Sequence, residues 1–213
     1  MSKETKIVEF FGMPSCGKTT QCHTLQEKNE QQGKMVAITD NLANDYANSS
    51  LLEKVGSIPL YIVFSLLRLF TAVPFAGFSY LRRYKVLIRK EILYNYAKRY
   101  SKYDYVYIDH GLAQGLIQLV YEYPDSLNDK TLLLAKRMFK KSKADNVIYC
   151  KVSPGTALKR IRKRNNPGKS RLDCINDDNL LTQKLSLQEQ LFDKLANMLS
   201  GFGEERFYII NNE

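Results

Sequence analysis

The sequence predicts an α/β protein, a doubly wound sheet of five parallel strands flanked by helices in a single domain spanning 1–213. Three observations carry the prediction. Short, strongly apolar runs alternate with longer helical stretches along the chain, as parallel strands buried on both faces require. The first apolar run stops at a glycine-bounded loop, "GMPSCGKTT" (12–20), which opens directly into a helix. The length of 213 residues suits one sizeable core, and no repeat, low-complexity tract or linker divides it.

The elements follow in order. "KIVEFF" (6–11) reads as the first strand, 18–32 as an amphipathic helix begun at the glycine loop, and "KMVAIT" (34–39) as the second strand. Residues 42–102 are mostly helical, broken near Pro59 and Pro74, where the ring removes a helix donor. "YDYVYID" (103–109) is a β-branched and aromatic run ending in an acid, hence a third strand, with helices over 111–122 and 129–142 after it. "DNVIYCKV" (145–152) makes a fourth strand and a basic helix follows from Pro154. A long helix fills 178–200, and "ERFYII" (205–210) is the fifth strand.

Composition is that of a globular chain, 44% hydrophobic and 25% charged. The four cysteines, Cys16, Cys22, Cys150 and Cys174, form no CxxC pair and no disulfide-scaffold pattern, and "MSKETK" lacks the apolar core of a signal peptide. The expectation is a reduced, cytoplasmic setting. The net charge of +10 concentrates in "LRRYKVLIRK" (81–90) and "LKRIRKRNNPGKSR" (158–171). Such clusters bind phosphates, nucleic acid or anionic lipid, or are solvated helix faces, and charge alone does not choose. No aromatic-basic motif supports nucleic acid. The stretch 58–78, "IPLYIVFSLLRLFTAVPFAGF", has the length of a membrane span, but Arg68 at its middle and two prolines argue for a buried or dimer-forming helix pair. A pocket wall for an apolar substrate and contact with a membrane surface remain the alternatives for it.

The loop itself carries chemistry. Gly12, Gly17, Lys18 and Thr19 match G-x-x-x-x-G-K-[ST], between a strand and a helix as that motif demands. Glycines let backbone N–H groups turn inward on phosphate oxygens, and the helix start adds its positive dipole end. Ser15 and Cys16 complete the cradle, Cys16 offering its backbone rather than its thiol, and Thr20 opens the helix beside them. Lys18 is expected to reach the β- and γ-phosphates and the Thr19 hydroxyl to hold Mg²⁺. No Asn-Lys-x-Asp sequence is present to read guanine. Asp109, at the carboxyl edge of the third strand, faces the crevice where α/β folds bind ligands. It is placed to join the Mg²⁺ shell or to act as general base, or else to cap the next helix. In "ALKRIRKRNNPGKSRLD" (157–173), Arg160 and Arg164 stand at i and i+4 on one helix face, with Lys169 and Arg171 in the loop beyond. Beside a phosphate loop these cations read as a lid over 164–173 that neutralises a transferring phosphoryl group.

On these residues the chain resembles the nucleotide kinases of the P-loop class, thymidylate kinase most of all in layout. Ala157, Leu158, Arg160, Ile161, Arg164, Arg171 and Asp173 reproduce that family's proline-led helix, lid and arginine-then-acid pattern. The resemblance implies ATP as donor, with Arg160 flanking the adenine and Arg164 and Arg171 on the phosphates. It also places Arg89 on an acceptor's phosphate and Gln114 or Gln118 near its base. The acceptor side departs from the family: Asp109-His110 stands for Asp-Arg, and "TDNLAND", with Asp40 and Asp45, replaces Arg-Glu-Pro. Asp40 resembles the substrate edge of adenylylsulfate kinases, and His110 reads equally as a substrate contact or a structural histidine.

The expectation is therefore an ATP- and Mg²⁺-dependent kinase of a small-molecule acceptor, a nucleoside or nucleoside monophosphate, with helices in 58–100 as the interface of any homodimer. The alternatives are a nucleotide-dependent switch or scaffold on nucleic acid or a membrane surface, and a kinase of a sugar or lipid-like acceptor.

Overall fold

A computed structural model of the chain describes residues 4–59, 77–122, 143–164, 172, 174–201 and 206–213. The strands are β1 (Lys6–Phe11), β2 (Val36–Ile38), β3 (Tyr105–Asp109), β4 (Asn146–Lys151) and β5 (Phe207–Asn211). Between them run α1 (Lys18–Gln31), α2 (Thr39–Asn48), α3 (Leu51–Gly56), α4 (Gly77–Tyr100), α5 (Leu112–Glu122), α6 (Pro154–Arg162) and α7 (Asp178–Ser200). The expected helix at 129–142, the body of the apolar stretch 58–78 and most of the lid lie outside the described residues.

All strand pairings are parallel and the order is β2-β3-β1-β4-β5. β1 thus lies at the centre, its last five residues buried. Register sets Phe10 against Asp109 of β3, so the end of β3 stands beside the point where the glycine loop leaves β1. The chain crosses from one side of β1 to the other after β3, and the crevice at such a reversal is where open α/β sheets bind ligands.

Phe11 anchors the side of the core under β4 and β5. Its ring stacks on Tyr149 at 5.0 Å and 18°, and lies 6.0 Å from Phe192 of α7 and 6.1 Å from Phe207 of β5. Aromatic pairs in these arrangements add to simple area burial. Asp145 secures the entry to β1: its carboxylate accepts the Ile7 N–H at 2.6 Å and the Lys98 ammonium at 2.8 Å.

Three local departures from the sequence reading have physical causes. β2 is short, because Lys34 N–H is still bonded to Asn29 O of α1 and α2 begins already at Thr39. α1 is hardly amphipathic, since only Lys18 and Cys22 are buried on it, and its inward face carries the lysine of the loop. α6 ends at Arg162 with Lys163 as its cap, so Arg164 stands past the helix end and does not share a helical face with Arg160. The following Asn165-Asn166-Pro167 is a helix-ending sequence.

Truncating Phe11 to alanine removes the hub of four aromatic rings. Urea unfolding of Phe11→Ala is expected to show a loss of about 3–5 kcal/mol, the range for buried Phe-to-Ala changes.

Candidate functional site

The six residues Gly12 to Gly17 join β1 to α1, and their backbone conformation explains their identity. Gly12 has φ 150, and a Cβ there would stand 2.3 Å from the Cys150 carbonyl oxygen of β4, so the loop rests directly on the neighbouring strand. Gly17 caps α1 at φ 91 and supplies no side-chain acceptor, and no acid stands in the first turn. The first-turn N–H groups thus meet no side-chain cap and face out with the positive end of the helix dipole, an arrangement suited to an anion.

Lys18 is buried and turned back over the loop, its ammonium donating to the carbonyls of Gly12 at 3.0 Å and Met13 at 2.9 Å. Other contacts hold the loop from outside. The buried Gln114 of α5 accepts the Gly12 N–H at 3.1 Å. Asn212, just past β5, donates to the Cys16 carbonyl at 2.8 Å, and Arg160 of α6 bridges the carbonyls of Asn212 at 2.7 Å and Ser15 at 3.3 Å. Cys16 donates its own N–H to Met13 O at 3.3 Å. The Cys150 thiol bonding to Cys16, together with nearby Lys18, holds the Cys16 thiol below its ordinary pKa despite burial.

Across the crevice, the Thr19 hydroxyl donates to Asp109 Oδ2 at 2.6 Å, joining α1 to the end of β3. Asp109 is fixed from behind by its own N–H, which donates to the Thr39 hydroxyl at 3.0 Å. Its second oxygen, Oδ1, is buried and has no hydrogen-bond partner among the described residues. His110 Nε2 lies 3.6 Å from it, too far for a hydrogen bond. The His110 pKa is lowered, desolvation outweighing the pull of the adjacent Asp109 carboxylate. A hydroxyl and an under-coordinated carboxylate are the hard oxygen donors that Mg²⁺ takes. Thr19 and Asp109 fit such an ion.

His110 and Ser15 are the non-glycine residues with positive φ among the described residues, at 63 and 64. Both stand at this crevice, where backbone strain of about 1–3 kcal/mol persists only if surrounding contacts enforce it.

The charges opposite the glycine loop involve a residue the motif reading did not single out. Lys90 of α4 is partly buried, which lowers its pKa, while the carboxylates of Glu9, Asp109 and Asp40 raise it and Arg89 opposes them. The sequence signal was the run "LRRYKVLIRK", which does not say which of its cations turns inward. Asp40 stands exposed on the first turn of α2, and Arg89 is exposed on α4. Asp45, by contrast, accepts the Tyr103 hydroxyl at 2.7 Å and ties α2 to the approach of β3. Gln114 is committed through Oε1 to the loop, and Gln118 is exposed. Thr20 is exposed on α1, Arg164 follows the end of α6, and Arg171 lies outside the described residues.

Glu9 also escaped the sequence reading. Fully buried at mid-β1, it accepts the Ala113 N–H at 2.6 Å and the Tyr94 hydroxyl at 2.7 Å, capping α5 from inside the sheet. Burial pushes its pKa up to about 7 against these bonds and the pull of Lys90.

A solved structure of deoxyadenosine kinase from M. mycoides, with products dCMP and a flexible dCDP bound, superposes with a TM-score of 0.50 and 14% identity, over 96% of this chain and 88% of that one. The likeness establishes the fold. A second structure of deoxyadenosine kinase from M. mycoides, with bound dCTP, gives 0.49 and 15% over 97% and 90%. No protein-family model matches the chain, and no curated protein sequence matches it.

Because the folded pKa of Glu9 is raised from 4.5 to about 7, the native state binds this proton more tightly than the unfolded chain. Its contribution is full below pH 4.5 and is lost as pH rises through about 7, a swing on the order of 3 kcal/mol. Urea unfolding at pH 5 and pH 8 is expected to show a smaller fall in stability with pH for Glu9→Gln than for the wild type.

Proposed function

We propose that the chain is an ATP- and Mg²⁺-dependent kinase of a small-molecule acceptor, a nucleoside or nucleoside monophosphate. The observation that carries this reading is the 2.6 Å bond from Thr19 to Asp109 at the mouth of the glycine loop, with Asp109 Oδ1 buried beside it and left without a hydrogen-bond partner among the described residues. A loop for phosphates and a two-oxygen cation site on one crevice are the requirements of phosphoryl transfer, where positioning and charge neutralisation dominate. The fold shared with deoxyadenosine kinase from M. mycoides, a structure that holds dCMP and dCDP, supports a nucleoside-type acceptor.

On this reading Gly12 to Gly17 and the α1 terminus cradle the β- and γ-phosphates, and Lys18 neutralises them from its seat on the loop carbonyls. Thr19 and Asp109 hold Mg²⁺, which when bound screens the phosphate charge. The lock of Asp109 on Thr19 supports a metal-shell role for it over general-base work. Arg160 and Asn212 frame the base end of the donor, and Arg164 and Arg171 belong to the lid. Asp40, Arg89, Lys90 and His110 line the acceptor rim. The acceptor oxygen, a nucleoside's hydroxyl or a monophosphate's phosphate oxygen, attacks the γ-phosphorus, the bond to the β–γ bridging oxygen breaks, ADP leaves, and the proton of a hydroxyl acceptor is released to solvent.

ATP consumption with Mg²⁺, screened across nucleosides, nucleoside monophosphates, adenylylsulfate and simple sugars, tests the proposal. One nucleoside-type acceptor is expected to raise turnover well above the ATP-only rate, and Lys18→Ala to lower kcat/KM by at least ~10²-fold. Unchanged turnover in Lys18→Ala, or none with any acceptor, contradicts it.

A further inference from the structure

We infer that Asn212 is a positioning residue of the glycine loop, its side-chain amide turning the Gly17 N–H toward the phosphates of a bound nucleotide. The inference rests on the kinase reading and adds to it a residue that no motif marks.

A trans peptide sets its C=O and the following N–H on opposite sides of one plane, so whatever holds the carbonyl also aims the N–H. In the peptide that joins Cys16 to Gly17, the carbonyl accepts Asn212 Nδ2 at 2.8 Å. Asn212 follows β5, on one side of the central strand, while Asp109 ends β3 on the other. The Gly17 N–H is thereby turned away from Asn212, toward the crevice side, and it makes no hydrogen bond among the described residues. A free N–H at the cap of α1, beside the positive end of the helix dipole, suits a phosphate oxygen.

Every polar group of Asn212 is engaged, and the pattern fixes how its amide faces. Nδ2 must meet the Cys16 carbonyl, since that oxygen only accepts, which leaves Oδ1 for the Gln21 amide at 3.5 Å. The Asn212 N–H donates to Lys151 O at 2.9 Å, extending the pairing of β4 with β5, and its carbonyl accepts Arg160 at 2.7 Å. Arg160, so seated, reaches the Ser15 carbonyl at 3.3 Å, and two successive loop carbonyls depend on Asn212. The next residue is anchored as well: the Glu213 carboxylate accepts the Ser153 N–H at 2.8 Å and the Thr156 hydroxyl at 3.0 Å, at the start of α6. The amide thus stands on a fixed frame, as a side chain that sets another group's direction must. Gly17 leaves room for it, since a Cβ there would stand 3.3 Å from Asn212 Nδ2.

Calorimetric titration of the full chain with ATP and with inorganic tripolyphosphate, both with Mg²⁺, tests the inference. Asn212→Ala is expected to weaken both ligands by about five- to tenfold, with its melting temperature retained. Asn212→Asp keeps the shape but sets an acceptor against the Cys16 carbonyl, and is expected to weaken both by about tenfold or more. In turnover the loss is expected in KM for ATP, with KM for the acceptor unchanged. Asn211→Ala, at the exposed last residue of β5, is expected to bind as wild type. A wild type that binds neither ligand overturns the kinase reading and the inference with it. A wild type that binds both, with the two Asn212 variants binding as tightly, overturns the inference alone. So does a loss confined to ATP, which assigns the amide to the base, or an equal loss in Asn211→Ala, which assigns it to a loosened strand end.

Discussion

A buried ammonium must be surrounded by oxygens, and Lys18 meets that demand by folding over its own loop onto the carbonyls of Gly12 and Met13. The rest of the site depends on this constraint. It fixes the arc of the six-residue loop and pins the first turn of α1 against the end of β1. The loop can then lie flat on β4 only because Gly12 has no Cβ to strike the Cys150 carbonyl. Gln114 from one side and Asn212 with Arg160 from the other hold that arc in place. The loop is thus seated by α5, α6 and the end of β5 together, elements far apart in sequence.

The opposite wall of the crevice follows a different electrostatic rule. Asp109, Asp40 and Glu9 surround Lys90, and the cation in turn offsets part of the cost of burying Glu9. Glu9 shapes the site indirectly, since it seats the start of α5 through Ala113, and α5 carries the Gln114 that holds Gly12. Gly111 makes that approach feasible, because a Cβ there would stand 2.2 Å from the Tyr94 hydroxyl and 2.3 Å from Glu9 Cδ. One buried carboxylate therefore links the middle of the central strand to the glycine-loop side of the crevice.

What the sequence made legible was whatever leaves a local pattern. The glycine loop, the acid ending "YVYID", the parallel sheet and Pro154 opening a basic helix all depend on residues adjacent in the chain, and they stand where the pattern put them. Lys90, Glu9 and Asn212 depend on long-range packing. Lys90 is one of several cations in its run, Glu9 sits inside an apolar strand where an acid reads as an interruption, and Asn212 follows the last strand with no motif around it. Helix ends were blurred where polar residues compete for the backbone: α2 takes Thr39 from the expected second strand, and α6 stops before Arg164 reaches it.

The central claim, that the glycine loop and the Thr19–Asp109 pair form one Mg²⁺-nucleotide site, is tested most directly by calorimetric titration of ATP with and without Mg²⁺ into the wild type and Asp109→Asn. The account predicts that Mg²⁺ strengthens binding to the wild type by about tenfold or more, that Asp109→Asn loses most of that gain, and that the two bind ATP alike without Mg²⁺. A wild type that binds no ATP, or an Asp109→Asn protein that keeps the full Mg²⁺ gain, would contradict it.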